Sequence, residues 1–294
     1  MGRNQQTRVK QPVLYRGFTL IEMIVVIVLT SIIASVVATF IKLPVQGYVD
    51  TARRAEMTDI ADTALRRMGR DLRLALPNSV RLTDSDATIE ILLSKTGGRY
   101  RIESDATATA DALNFTATDT LFDQLGSLSA LSGQAIVAGS DSLVIYNLGP
   151  GITNADAYVG NNRSLITGTP PGALANEQRM QIAAKQFPLE SPGNRFQVIE
   201  GPVSYVCDTT SGRLTRYWGY PIQATQPNAA TLPTLGGLSA LLATNVASCV
   251  FDYNPGVTAR SGLVALTLVI TEANTSGIPE SVRLYHEVHV TNVP

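Results

Sequence analysis

An apolar run of 24 residues, 18–41, constrains this chain more than any other feature. As a helix rising about 1.5 Å per residue it would reach roughly 36 Å, enough to cross a bilayer core of about 30 Å. One charged residue, Glu22, lies inside it near its start. A carboxylate within a membrane span costs roughly 2.5–3.5 kcal/mol on insertion scales, so Glu22 is a functional-site candidate by default. Ahead of the run Arg3, Arg8, Lys10 and Arg16 stand with no acidic residue. Positive charge before a span keeps that end cytoplasmic, and Lys42, Arg53 and Arg54 beyond it weaken this bias without reversing it. The rest of the chain is therefore expected outside the inner membrane.

A secretory signal peptide has an apolar core of about 7–15 residues and a small-x-small cleavage site. This run is longer, contains Glu22, and is not closely followed by Ala-x-Ala. A plain membrane anchor would explain the length. It gives no reason for a carboxylate in lipid or for the junction that opens the run, Arg16-Gly17-Phe18-Thr19-Leu20-Ile21-Glu22.

That heptapeptide resembles the processing site of type IV prepilins and pseudopilins. The resemblance implies that a membrane peptidase cuts between Gly17 and Phe18 and methylates the new Phe18 amine, and that Glu22 guides assembly. Glycine suits the cut, because without a Cβ it lets the protease backbone approach. In a filament the Phe18 amine can pair with a Glu22 carboxylate, offsetting the burial of both charges. The implied fold is α+β, a pilin-like lollipop. A long kinked N-terminal helix, its first half transmembrane, packs on a mainly antiparallel β-sheet head. The expected organisation is a leader over 1–17, a membrane and filament-core helix over 18–41, an amphipathic continuation over 42–76, and a periplasmic β-rich head over 77–294.

Several readings come from the residues themselves. Met57, Ile60, Ala61, Ala64, Leu65, Met68, Leu72 and Ala75 recur at spacings of three and four, which predicts an amphipathic helix. Its polar face runs from Glu56, Asp59 and Asp62 to arginines in the last turns, an order that suits the helix dipole. Pro77 and Asn78 are expected to end it. Pro44, with Gly47, is expected to kink it or melt a turn just past the bilayer.

Beyond residue 80 the chain reads as β-rich. Strands are expected at 89–93, 143–146, 196–200, 203–207, 213–218, 263–270 and 282–290. Gly201-Pro202 is expected to separate two of them, and Gly97-Gly98 reads as a turn. The 203–207 and 213–218 strands flank a hairpin loop over 208–212. The 263–270 strand is apolar on both faces and should be central. The 282–290 strand alternates and should pair with it through a turn near 273–279. Residues 152–193 and 223–237 are rich in turn formers and read as loops.

Charged residues make up 16% of the chain and the net charge is −1. No clustered basic face marks a nucleic-acid partner. His286 and His289 are three apart on a strand and point to opposite sides, so one metal cannot take both. Asp84-Ser85-Asp86 and Asn154-Ala155-Asp156 lack the full calcium-loop spacing and read as turns. Cys207 and Cys249 form an even count, and in the oxidising compartment that the resemblance implies they suggest one disulfide; two buried thiols are the alternative.

Taken together, these residues predict a structural subunit with no enzyme activity, cofactor or metal. The resemblance implies its partners: the prepilin peptidase/methyltransferase, other major and minor pilin-like subunits, an inner-membrane assembly platform, and inner-membrane lipid. Segments at 44–50, 53–56, 64–73, 75–80 and 288–294 resemble a biogenesis component of the mannose-sensitive haemagglutinin (MSHA) pilus. A minor pilin is the first expectation, a minor pseudopilin of type II secretion the alternative, and a membrane-anchored periplasmic enzyme or adhesin the third.

Overall fold

The computed structural model describes residues 17–104, 110–126, 135–172, 174, 177–256 and 261–294. The chain divides into two compact units, Met1–Ala52 and Arg53–Pro294. One helix, α1 (Leu20–Arg73), begins in the first and ends in the second. It is α-helical throughout, including Pro44, so proline does not interrupt it. It ends four residues before Pro77, in a turn closed by the Leu74 and Ala75 amides donating to the Asp71 and Leu72 carbonyls. Throughout the described part of the first unit the apolar side chains are exposed, as expected of a surface built to face lipid or other helices.

In the second unit the three-and-four spacing becomes a buried stripe. Met57, Ala61, Ala64, Leu65, Met68 and Leu72 are all at most 4% exposed. They pack in one core with residues of two sheets. The strands of the first sheet are β1 (Arg81–Thr83), β2 (Thr88–Tyr100), β3 (Asp119–Leu125), β4 (Ser142–Ile145), β5 (Arg163–Gly168), β6 (Gln178–Lys185), β7 (Arg195–Asp208), β8 (Arg213–Trp218) and β9 (Leu238–Ala243). The second sheet holds β10 (Val246–Asn254), β11 (Ser261–Ala273) and β12 (Pro279–Thr291), with β11 central. Every pairing among the described strands is antiparallel. The fold class is α+β, as expected.

The first sheet has two halves that share β2 and β7. These long strands pair along their whole length, from Thr88↔Val206 to Arg99↔Arg195. At one end they are flanked by β1 on one side and by β8 and β9 on the other, giving the open sheet that backs α1. At the other end β7 pairs with β4 and β2 with β3, and the order β2-β3-β6-β5-β4-β7 returns to β2. Six strands thus close into a small barrel. Its interior is filled by Tyr100, Phe122, Ile145, Ile166, Met180, Phe187 and Phe196 with their neighbours. The junction is marked by register shifts at Leu93/Ser94, opposite Gly201.

Four expectations are corrected here. β7 does not break at Gly201-Pro202 but runs through it. Its pairing with β4 stops at Ile199 and that with β8 starts at Val203, so the missing proline N–H falls where one side of β7 has no partner. Gly97-Gly98 is no turn; it lies inside β2. A Cβ there would sit 2.6 Å from Gln197 Oε1 or 2.8 Å from Phe196 Cζ, so glycine permits the close approach of β7. The region 152–193 is not all loop, since it contains β5 and β6. The hairpin after β7 is one residue tighter than expected, because Asp208 pairs with Arg213.

The C-terminal hairpin follows expectation. The β11–β12 hairpin pairs Ala273 with Pro279 and turns over 274–278. Val282, Leu284, His286, Val288 and Val290 form the inward face of β12, and His289 points outward. A Cβ at Gly69 would lie 3.1 Å from His286 Nε2, so glycine lets α1 settle against β12. Asp84, Ser85 and Asp86 take positive φ in the β1–β2 turn, and the Asp156 carboxylate accepts from the Gly151 and Tyr158 amides. Cys207 of β7 and Cys249 of β10 are joined, Cα atoms 6.2 Å apart, which ties the two sheets together.

Candidate processing and assembly site

Gly17, Phe18 and Thr19 are outside regular structure and α1 starts at Leu20. The reason is local. Thr19 Oγ1 accepts the Glu22 backbone N–H at 3.3 Å, and the Thr19 carbonyl accepts the Met23 N–H at 3.2 Å. Thr19 is therefore the N-cap, and Thr-Leu-Ile-Glu is a capping-box sequence with glutamate at the third helical position. Thr19 was not among the residues singled out from sequence, although its Thr-x-x-Glu spacing carries the signal.

The cap defines the site. The Gly17–Phe18 bond lies two residues before the first helical residue, in exposed backbone, and among the described residues nothing lies within 4 Å of where a Gly17 Cβ would be. Phe18 is 74% exposed. A peptidase can reach this non-helical bond directly, whereas a helical bond would first have to unwind. Glu22 sits in the first turn, where the helix dipole favours a negative group. Its side chain is exposed and makes no hydrogen bond or ion pair among the described residues. The structure thus brings Gly17, Phe18 and Glu22 together at one helix start. Pro44 lies on the same helix, and Cys207–Cys249 belongs to the second unit.

The second unit holds two buried polar clusters. In one, Asp71 of α1 accepts from the Tyr205 hydroxyl at 2.6 Å and from Arg216 Nε at 2.8 Å. Burial, with Asp71 adding to it, pushes the Tyr205 phenol well up. In the other, Glu90 accepts from Tyr220 at 2.9 Å and pairs with Arg81 Nε. Arg81 also donates to the Gln223 and Ala224 carbonyls and lies 3.5 Å over the Tyr158 ring. Burial holds the Glu90 carboxyl above its ordinary range, against the opposing pull of Arg81 and Tyr220. In both clusters the charged groups are paired with one another and tie neighbouring elements together. Among the described residues no group of three or more His, Cys, Asp or Glu side chains could hold a metal.

Residues 14–38 match the prokaryotic N-terminal methylation motif. No curated protein and no solved structure matches the chain. The matched stretch contains Gly17, Phe18, Thr19 and Glu22 and continues into the exposed apolar helix. The motif, the apolar helix and the α+β head support a place for this chain in the type IV pilin-like family.

Proposed function

We propose that the chain is a minor pilin-like subunit of a type IV pilus of the MSHA kind, acting as a structural component that helps initiate or cap the filament. A prepilin peptidase cuts between Gly17 and Phe18 with the leader on the cytoplasmic side, and the Phe18 amine is methylated. The helix then passes from inner-membrane lipid into the filament core through the assembly platform. The head stands on the periplasmic side, where the Cys207–Cys249 bond can form.

The observation that carries this reading is the coincidence of the methylation motif with a capped helix start that leaves Gly17–Phe18 outside the helix and exposed. A helix exposed throughout its apolar length supports assembly with other helices, since lipid or like helices alone can cover it. The MSHA assignment is supported by the sequence resemblance of the helix and terminal segments.

Mass analysis of the N-terminal peptide from membrane-extracted protein tests the reading. The expected product begins at N-methylated Phe18. Retention of Met1 in peptidase-competent cells would overturn it. Bulky replacements of Gly17 should accumulate as precursor.

A further inference from the structure

We propose that the outer edge of β9 is a strand-pairing site, where another pilin-like subunit adds an uncharged, extended segment to the open half of the first sheet. The identity of the partner rests on the pilin-like reading above; the open edge does not.

β9 is the last strand of its sheet. One side pairs with β8, from Trp218↔Leu238 to Leu214↔Ala243. On the other side its backbone makes no hydrogen bond among the described residues. Leu238 is 62% and Leu241 51% exposed, and they lie on opposite faces because they pair with Trp218 and Thr215. Between Arg216 and Asp252 the sequence has no charged residue at all. Natural edges are normally blunted by charge, proline or cover. β12, which ends the second sheet, follows that rule with Pro279, Glu280, Arg283 and Glu287. β9 has none of these protections within its span.

The chemistry of the edge selects its occupant. Every second residue of β9 directs an N–H and a C=O outward, and an extended backbone satisfies such a row by strand addition. The new strand would cover Leu238 on one face and Leu241 on the other. Among the β8 residues that pair with β9 the charged one is Arg216, across from Ala240, and it is already paired with the buried Asp71, so a charged segment would find no free partner there and an apolar or neutral segment is selected. Subunits stacked in a filament meet head to tail, through different surfaces. β9 therefore meets another part of a neighbouring head, and a two-fold β9–β9 pairing of identical copies is not the arrangement proposed.

A photo-cross-linking amino acid at Leu241 of the full chain tests this in cells that assemble the filament, with Tyr285 on β12 as the control position. The expected adduct from Leu241 joins a second protein with its own methylation motif, at an edge strand of its head, and Tyr285 gives none. Adding Leu238→Lys should cut the adduct at least roughly tenfold, because the docked strand would bury an unpaired charge. Phe18 processing and the Cys207–Cys249 bond should be unchanged, which shows the head is folded. The proposal is overturned if Leu241 gives no adduct while processed chain is in the filament fraction. It is equally overturned if the adduct is a second copy of this chain, maps to a partner helix, or survives Leu238→Lys. If the chain keeps Met1, the pilin-like reading fails and the proposed partner fails with it.

Discussion

Arg216 of β8 lies 2.8 Å from Asp71 Oδ2 of α1, and both side chains are nearly inaccessible to water. Tyr205 of β7 donates to the same oxygen, so one carboxylate joins the helix to two adjacent strands. The pairing fixes the rotation of the last turns of α1, a role that apolar packing alone leaves loosely specified.

Removing one member of this pair should be severe. Asp71→Ala leaves the Arg216 guanidinium buried without its carboxylate, a loss of about 3–5 kcal/mol. Denaturant unfolding of detergent-solubilised protein should show it, while cleavage at Gly17–Phe18 continues. A loss below about 1 kcal/mol, the ordinary value of an exposed pair, would mean that Arg216 finds water instead.

Glu90 gives the head a pH dependence of known sign. Burial raises its carboxyl above the ordinary 4.5, so the folded state binds that proton more tightly than the unfolded chain. Its contribution is complete below pH 4.5 and is lost as pH rises through the elevated folded value. Thermal unfolding of wild type and Glu90→Gln between pH 4 and 7 should therefore show wild type losing ground to the variant as pH rises. A gap independent of pH would show that Glu90 titrates alike in both states.

The Cys207–Cys249 bond links strands of different sheets across a sequence separation of 42. By the loop-entropy estimate it contributes about 3–4 kcal/mol. The double Ala variant should unfold at correspondingly lower denaturant and still yield N-methylated Phe18. Peptide mapping of native material that finds both thiols free would remove the premise.

Glu22→Val separates cleavage from assembly. The substitution takes a charge out of the apolar run, so membrane insertion should not suffer. The scissile bond and the Thr19 cap remain, so processing should continue. Co-assembly should fall, because the Phe18 amine would then be buried without a counter-charge, at a cost of about 3–5 kcal/mol. Pull-down of processed protein with the other pilin-like subunits measures it. Normal recovery would show that contacts of the head alone recruit the subunit.

The parts legible in sequence are those whose pattern is local. The stripe from Met57 to Leu72 states both the helix and its buried face, and the alternation of 282–290 states which side of β12 faces in. The methylation junction is likewise one contiguous motif. The barrel was not legible, because its closure depends on pairings far apart in the chain. Phe122 meets Met180, and Tyr100 meets Gln124 across the last gap. β3, β5 and β6 are short and carry Asp119, Asp123, Arg163, Arg179 and Lys185, so neither alternation nor apolar runs announce them. Pro202 misled for a definite reason: a proline breaks a strand only where its N–H is needed, and need is set by neighbours that local sequence does not reveal.

The junction at Leu93 and Gly201 has a consequence for how such a chain can change. The two residues are ladder partners, so the polypeptide leaves the open sheet and re-enters it at adjacent points. Everything in residues 94–200, barrel included, is a single excursion inserted into what would otherwise be an ordinary hairpin. A two-residue turn spans the same gap. The excursion is stitched back to the chain that follows α1, because the Tyr158 hydroxyl donates to the Ser79 carbonyl, Asn147 Nδ2 to the Pro77 carbonyl, and the Tyr158 ring lies under Arg81. A change in its length leaves the ladder of β2 with β7 intact only if it keeps that seam, so the tip of the barrel, away from the seam, is where the head has room to vary.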